Sequence, residues 1–262
     1  MGNLASRMLV AALLLPLAIG TLWLGGWWLV GLGVTVAVLA LHELWTMARP
    51  HRPVVIAGHV GAIVVILGAH LAGLEGMALV LVPTILITFI VAATASAAGS
   101  SALTSVAITV FGVVWVGVGL GSVVVLRMDS FALVLAVLVG TWGSDIGAYA
   151  VGRMIGRRRI APTISPGKTV EGFVAGVVVG TALVWWILYG QGIGSIDALI
   201  IGVAVAVTGP FGDLFESFVK RDLGVKNSGT LLAGHGGVLD RIDAMLVTAP
   251  VALLALWVVT AL

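Results

Sequence analysis

The chain has 262 residues, of which 60% are hydrophobic and 9% are charged, with a formal net charge of +2 and a mean hydropathy of +1.21. This composition excludes an ordinary soluble globular domain, and the absence of cysteine excludes disulfides, thiolate nucleophiles and cysteine-ligated metals. Apolar runs of about twenty residues, long enough to cross a bilayer as helices, recur throughout. We therefore expect an all-α, multi-pass membrane protein that forms a single integral membrane domain over 1–262.

Nine apolar segments predict about nine transmembrane helices, five in residues 1–126 and four in residues 127–262. They cover about residues 8–24, 27–46, 54–74, 77–95, 105–126, 130–151, 171–190, 196–216 and 238–260. The start of the chain matches a loose myristoylation pattern and resembles a signal peptide. Because another apolar segment follows directly after Gly25-Gly26, we expect an uncleaved first helix.

Lysine and arginine residues fall almost entirely into alternate connections between these segments. If the N-terminus is cytoplasmic, only Arg127 of the 13 lysines and arginines lies outside. The C-terminus is then outside, and the protein is expected in the cell membrane. The two largest polar loops, 152–170 and 217–237, share the cytoplasmic face, which indicates chemistry on cytoplasmic substrates.

The sixth predicted helix carries an acid within apolar sequence, Asp145, which follows Ser144. A carboxylate in such a helix needs a cation or a metal nearby, so Asp145 is a candidate metal ligand. The alternative is a hydrogen-bonded acid that has no part in chemistry. Glu43, in the second predicted helix, is a second intramembrane acid that could be functional.

The loop before the seventh helix contains Ser165-Pro-Gly-Lys168-Thr. This is not a P-loop, because Pro162 replaces the required glycine and no strand precedes it. We expect a turn whose lysine lies beside a helix N-terminus that favours anions. Glycines four residues apart in the seventh helix predict close helix packing, within the protomer or in a homodimer. These are Gly172, Gly176 and Gly180.

The most polar stretch of the chain, 213–243, contains two pairs of acids. Asp213 and Glu216 are three residues apart, as are Asp240 and Asp243, so each pair shares a helix face. Both pairs approach the same membrane edge, an arrangement that suits Mg²⁺. The alternative is that the acids form interfacial salt bridges with nearby cations, which are Lys220, Arg221 and Arg241.

Between these pairs lies the sequence Gly234-His235-Gly236-Gly237. Glycines on both sides of a histidine allow backbone amides to approach a phosphate closely. Nearby cations could clamp a polyphosphate; these are Lys220, Arg221 and Lys226. The alternative is a flexible loop in which the histidine has no role.

These motifs together resemble the phosphatidate cytidylyltransferase family, also called CDP-diacylglycerol synthases. The resemblance rests on Ser217-x-x-Lys220-Arg221-x4-Lys226-Asn227, on Gly234-His235-Gly236-Gly237-x-x-Asp240-Arg241-x-Asp243, and on the motifs around Asp145 and Lys168. It is dense over 140–243 and general elsewhere. Three positions depart from the family pattern: Asn227 replaces the usual aspartate, Ala233 a proline and Ile146 a threonine.

The resemblance implies that CTP and phosphatidate react to form CDP-diacylglycerol and pyrophosphate, with Mg²⁺ and a second cation as an option. Asp213 and Asp240 would be the first metal ligands, then Asp243 and Asp145. The expected catalytic residues are Asp213, Asp240, Asp243, Lys220 and Arg221. The expected substrate-binding residues are Ser165, Lys168, Ser217, Lys226, His235, Gly236, Gly237 and Arg241. Phosphatidate would enter from the bilayer, and no nucleic acid is expected as a partner.

Other functions remain open. A CTP-dependent lipid kinase or a CDP-archaeol-type synthase would share the nucleotide chemistry but act on another acceptor. A proton- or ion-coupled transporter could use Asp145, Glu43 and the acid pairs, but it should show paired broken helices in two related halves. The polar residues instead gather on one face of the C-terminal half. A scaffold subunit would not explain the intramembrane acids.

Overall fold

The computed structural model describes the backbone of residues 2–95, 101–229 and 236–261 and the side chains of residues 12–94, 101–229 and 236–261. Helices dominate the described chain. In order they are α1 (Gly2–Leu24), α2 (Gly26–Met47), α3 (Val55–Ala95), α4 (Ala102–Gly112), α5 (Gly119–Asp129), α6 (Phe131–Ile155), α7 (Val170–Leu188), α8 (Ser195–Asp222) and α9 (Leu239–Ala261). A 3-10 turn, Arg49–His51, follows α2, and a π-helical stretch, Val113–Val118, joins α4 to α5.

Within the described residues, seven helical segments are long and apolar enough to cross a bilayer. This finding confirms the prediction of a polytopic, helical membrane protein. One of the seven, α3, is broken in its middle, where Ala72 and Gly73 leave helical geometry. Gly73 has a φ of +59°, which glycine adopts without the steric cost that a side chain would bring.

The loop between α6 and α7 contains a short β-hairpin that the sequence did not predict. Strands β1 (Arg159–Ala161) and β2 (Ser165–Thr169) pair antiparallel, with Arg159 opposite Thr169. The sequence predicts the turn within Ser165-Pro-Gly-Lys168-Thr, with no strand before it. These residues instead form β2, the turn lies before them at residues 162–164, and β1 precedes that turn. Thr169 then caps α7, since its hydroxyl accepts a hydrogen bond from the Gly172 N–H at 3.2 Å. The hairpin fixes the position of Lys168 directly before α7.

The chain forms two compact units, which are described separately. The first unit comprises Met1–Met128 and Leu223–Arg241, and the second comprises Asp129–Asp222 and Ile242–Leu262. In the first unit, the Trp45 indole of α2 packs where Gly58 of α3 and Gly112 of α4 leave room for it. Larger residues at these glycines would collide with the ring.

In the second unit, α6 and α7 pack through the predicted glycine face of α7. A Cβ placed on Gly176 would lie 2.7 Å from the Ser144 carbonyl oxygen, and one on Gly180 would lie 2.9 Å from that of Gly140. The backbones therefore approach more closely than side chains would permit. This glycine face is used within the protomer, which decides between the two predicted alternatives.

Pro210 modifies α8 in the second unit. Since proline has no backbone N–H, the Ala206 carbonyl one turn earlier lacks its helical donor. The Ser144 hydroxyl of α6 donates to that carbonyl instead, at 3.3 Å. The Pro210 carbonyl in turn accepts a hydrogen bond from Lys168 Nζ at 2.7 Å. The interrupted helix thus binds both α6 and the hairpin next to the acids of α8.

Candidate active site

A close crossing of α8 and α9 brings their acids together in the second unit. Gly212 of α8 is buried, and a Cβ on it would lie 2.7 Å from the Ala244 Cα and 2.8 Å from the Asp243 carbonyl oxygen. Only glycine permits this approach. Because Gly212 precedes Asp213 and Ala244 follows Asp243, the contact places the two aspartates side by side.

Three carboxylates converge at this crossing, and we call Asp213, Glu216 and Asp243 the acid cluster. One oxygen from each side chain lies within 4.8 Å of the other two. Glu216 and Asp243 are only 1% and 8% exposed, whereas Asp213 is half-buried. Carboxylates this close repel one another, so nearby cations stabilise their charged forms. Hard oxygen donors in this number suit a hard divalent cation, so the residues fit a metal of that class.

Two lysines contact the acid cluster. Lys168 Nζ lies 2.8 Å from Asp213 Oδ2, and Lys220 Nζ lies 2.8 Å from Glu216 Oε2. The predicted alternative of salt bridges is therefore realised for Lys220, whereas Asp213 pairs with a lysine of the hairpin. These two lysines stabilise the negative charge of the acid cluster.

Asp145 of α6 lies beside the same cluster. Its carboxylate is exposed and interacts electrostatically with Lys168 and Asp213. Asp243 interacts in the same way with Asp213 and Lys220, and its Oδ1 accepts a hydrogen bond from the Ala244 N–H at 2.8 Å. The second unit thus brings together most of the predicted acids with both lysines.

Glu216 is the member of the acid cluster that the predicted site lacked. Its spacing of three residues from Asp213 placed it on the same helix face, and its spacing of four from Lys220 allowed the observed ion pair. The burial of Glu216 could not be predicted from the sequence. One of its neighbours in the chain is aromatic and the other is polar, so they do not indicate whether this position faces the core. The helical spacing was the available signal.

In the first unit, the end of the glycine-rich motif leads into α9, which begins at Leu239. Gly236 has a φ of +83°, a conformation that favours glycine. The Gly237 N–H donates to Asp240 Oδ2 at 3.0 Å, and the Arg241 N–H donates to the Val238 carbonyl at 3.0 Å. Asp240 therefore closes the first turn of α9. Its assignment as a metal ligand stays a prediction.

Glu43 of α2 binds the same segment, which the sequence did not indicate. Its Oε1 accepts a hydrogen bond from the Val238 N–H, and its Oε2 accepts one from the Leu239 N–H, both at 2.9 Å. The Ser228 hydroxyl donates to Oε2 at 3.2 Å. A Cβ on Gly237 would collide with Glu43 and Ser228. This glycine is therefore required for packing, apart from any approach of a phosphate.

The remaining predicted residues are placed as follows. Ser165 opens β2 and is half-buried, as is Ser217 on α8. Three cations are exposed: Arg221 at the end of α8, Lys226 after it, and Arg241 in the first turn of α9. His235 lies outside the described residues, so its predicted role stays a prediction.

Comparison with known proteins agrees with the motifs. The model of the cytidylyltransferase family matches residues 5–259. The phosphatidate cytidylyltransferase of Staphylococcus aureus strain COL is 32% identical over 253 residues, which cover 93% of this chain and 95% of that protein. That of Staphylococcus haemolyticus is 29% identical over 255 residues, with coverages of 93% and 95%.

The uncharacterized protein YnbB of Escherichia coli K12 is 44% identical over 122 residues. Those residues are 45% of this chain and 40% of YnbB, so the match spans less than half of that relative. The two staphylococcal proteins, by contrast, are matched over nearly their whole length.

Proposed function

The chain belongs to the cytidylyltransferase family, and from this premise we propose that it acts as a phosphatidate cytidylyltransferase in phospholipid biosynthesis. It transfers the cytidylyl group of CTP to phosphatidate, yielding CDP-diacylglycerol and pyrophosphate. The observation that supports the proposal is the acid cluster with its two lysines, which brings together three candidate metal ligands and two candidate hydrogen-bond donors for phosphate.

The reaction requires two anions to meet. A phosphate oxygen of phosphatidate attacks the α-phosphorus of CTP and forms a new P–O bond. The bond from that phosphorus to the β-phosphate oxygen breaks, and pyrophosphate leaves with the electron pair. Because the phosphate monoester is already anionic, neither a covalent intermediate nor a general base is required. The protein has to align the substrates and offset their repulsion.

The residues of the second unit suit both tasks. Asp213, Glu216 and Asp243 would hold Mg²⁺, with Asp145 beside them as a further ligand. Asp240, in the first unit, stays a predicted metal ligand. Bound Mg²⁺ would neutralise phosphate charge as it develops. Lys168 and Lys220 are each oriented by one carboxylate, and an ammonium group is a hydrogen-bond donor suited to phosphate oxygens. The predicted substrate-binding residues, including Ser217, Lys226 and His235, would extend these contacts to CTP and the lipid headgroup.

We propose that the chain crosses the cell membrane nine times, with the N-terminus and the acid cluster on the cytoplasmic side. The break in α3 divides its 40-residue apolar segment into two arms, and Ala12–Leu24 adds a shorter apolar helix. The distribution of lysine and arginine supports the orientation. The chain has no cysteine, so a single cysteine can be introduced at Thr163 or at Gln191 as a label. We expect a membrane-impermeant thiol reagent to reach these two positions from opposite sides of the membrane.

The expected partners are CTP and membrane phosphatidate, without nucleic acid. The homodimer stays a prediction, and the α7 glycines no longer support it because they pack against α6. The acceptor is the point on which the alternatives differ. A lipid kinase would use a polyprenol as the acceptor, and a CDP-archaeol-type synthase would use an unsaturated ether lipid phosphate. An ion-coupled transporter would use no acceptor.

The test is an acceptor panel with the purified full-length protein in nanodiscs. CTP and Mg²⁺ are supplied with phosphatidate, a polyprenol or an unsaturated ether lipid phosphate, each with and without EDTA. We expect CDP-diacylglycerol from phosphatidate alone, and loss of product with EDTA. Product from only another acceptor would reassign the substrate, and no nucleotide transfer with any acceptor would refute the proposal.

A further inference from the structure

Glu43 is a deeply buried acid whose contacts all converge on one segment. Its side chain lies in α2 and is 3% exposed. Its two oxygens accept hydrogen bonds from the Val238 and Leu239 N–H groups and from the Ser228 hydroxyl. These partners lie on either side of the glycine-rich motif, far from Glu43 in sequence. One carboxylate therefore binds the chain both before and after that motif.

The bonds to Val238 and Leu239 occur where a helix needs them. The first N–H groups of a helix have no partners inside it, and a carboxylate there also interacts favourably with the helix dipole. Capping oxygens usually come from the residue that precedes the helix. For α9 they come from another helix, so the bonds fix the start of α9 against α2 within the first unit.

The surrounding glycines fit this arrangement. A Cβ on Gly229 would lie 2.6 Å from Glu43 Oε1, and one on Gly237 would collide with both Glu43 and the Ser228 hydroxyl. Side chains at either position would therefore displace the carboxylate. The sequence leaves room for it on both sides, which marks Glu43 as a built contact of the fold.

We propose that Glu43 is a positioning residue for Asp240, an acid in the first turn of α9. A shift in the start of α9 would move the Asp240 carboxylate relative to the substrates, and small displacements of catalytic groups are costly in rate. Glu43 acts through Asp240, since its described hydrogen bonds are made to the protein's own chain. This inference rests on the proposed function.

The variants are chosen to remove the bonds in steps. Glu43→Gln keeps the size of the side chain but presents an NH₂ group, which cannot accept a hydrogen bond from a backbone amide. Ser228→Ala removes the hydroxyl bond and leaves both backbone bonds. Glu75→Gln is the matched control, because it makes the same change at an exposed acid on α3.

Two readouts are measured on full-length protein in nanodiscs. The first is steady-state kinetics with CTP and phosphatidate. The second is hydrogen–deuterium exchange of the Val238 and Leu239 amides, which does not depend on activity. For Glu43→Gln we expect kcat to fall about tenfold or more, with a smaller change in the KM for CTP. We expect the two amides to exchange about tenfold faster or more. Ser228→Ala should change both less, and Glu75→Gln neither.

Normal exchange of both amides in Glu43→Gln would overturn the proposal, whatever the activity. Faster exchange with an unchanged kcat would also overturn it, because the contact would then be structural only. If Glu43→Gln does not fold, Glu43→Asp decides by the same readouts, since its shorter carboxylate cannot reach both amides. If the wild type lacks cytidylyltransferase activity, the proposed function fails on its own, and amide exchange still tests the contact.

Discussion

The acid cluster of the second unit and Glu43 of the first unit both bury carboxylates, but they compensate the charge differently. In the acid cluster, Asp213 and Glu216 pair with the side chains of Lys168 and Lys220. Glu43 is bound mainly by backbone N–H groups. A lysine side chain can turn towards a substrate or yield its place to a cation, whereas a backbone amide cannot leave. From this difference we expect the acid cluster to bind ligands and Glu43 to fix the start of α9.

The two regions should therefore respond differently to the loss of an acid. Removing one of several crowded carboxylates relieves repulsion, so we expect a variant of the acid cluster to be less active without being less stable. Removing Glu43 leaves buried backbone donors without an acceptor, which costs about 1–3 kcal/mol per group. The variants below test this contrast.

Asp243→Asn should have the largest effect on activity. It removes the negative charge of a buried carboxylate in the acid cluster, which is a candidate metal ligand. We expect turnover to fall about a hundredfold or more. The thermal midpoint should stay the same or rise, since a repulsive charge is lost. Turnover and thermal unfolding are compared with those of Asp197→Asn, at the opposite end of α8. A loss of stability with normal turnover per folded molecule would assign Asp243 to the fold.

Lys168→Met should have the next largest effect. The variant removes the partner of Asp213 and a phosphate donor while keeping an apolar stem of similar length. We expect kcat/KM to fall about tenfold or more, mainly through weaker stabilisation of phosphate charge. Arg49→Gln, at an exposed cation after α2, is the control for loss of positive charge. Equal activities of the two variants would argue against a role for Lys168.

Gly237→Ala should affect stability more than chemistry. The added methyl group collides with Glu43 and Ser228, and we expect a loss of about 1–3 kcal/mol in unfolding free energy. The measurement is a lower thermal midpoint than that of Gly31→Ala, a control on α2 where a Cβ meets no atom within 4 Å. A Gly237→Ala protein as stable as this control would show that Glu43 does not require the glycine.

Asn227→Asp should have the smallest effect. The family resemblance leads one to expect an aspartate at this position, but the side chain is exposed. Solvent and salt screen a charge in such a place, so we expect the turnover rate to change by less than about threefold. The rate is measured at two Mg²⁺ concentrations. A large gain at low Mg²⁺ alone would instead assign this position to metal binding.

Local patterns in the sequence predicted much of this molecule. Long apolar runs gave the helices, because a membrane span requires that length. Because residues three apart share a helix face, this spacing placed Asp213 beside Glu216 and identified Asp243 as a further candidate ligand. The exact span count and orientation rest on the same patterns and stay predictions.

Long-range pairings could not be predicted. Nothing near Lys168 indicated that it would bind Asp213, and the short hairpin that carries it has no clear alternation of apolar residues. Glu43 contacts residues almost 200 positions later in the chain. Its partners are mostly backbone amides, and because every residue type except proline has one, the sequence does not indicate which of them will bind Glu43. The glycines at 229 and 237 were visible, but their role depends on a contact that only the fold reveals.

The most direct test of the central claim follows the phosphorus atoms of CTP. Wild-type protein is incubated with phosphatidate, Mg²⁺ and CTP labelled in either the α- or the γ-phosphate. The account predicts that the α-label enters the lipid as CDP-diacylglycerol, that the γ-label leaves as pyrophosphate, and that both products form in equal amounts. Transfer of the γ-label to the lipid would contradict it and identify a kinase.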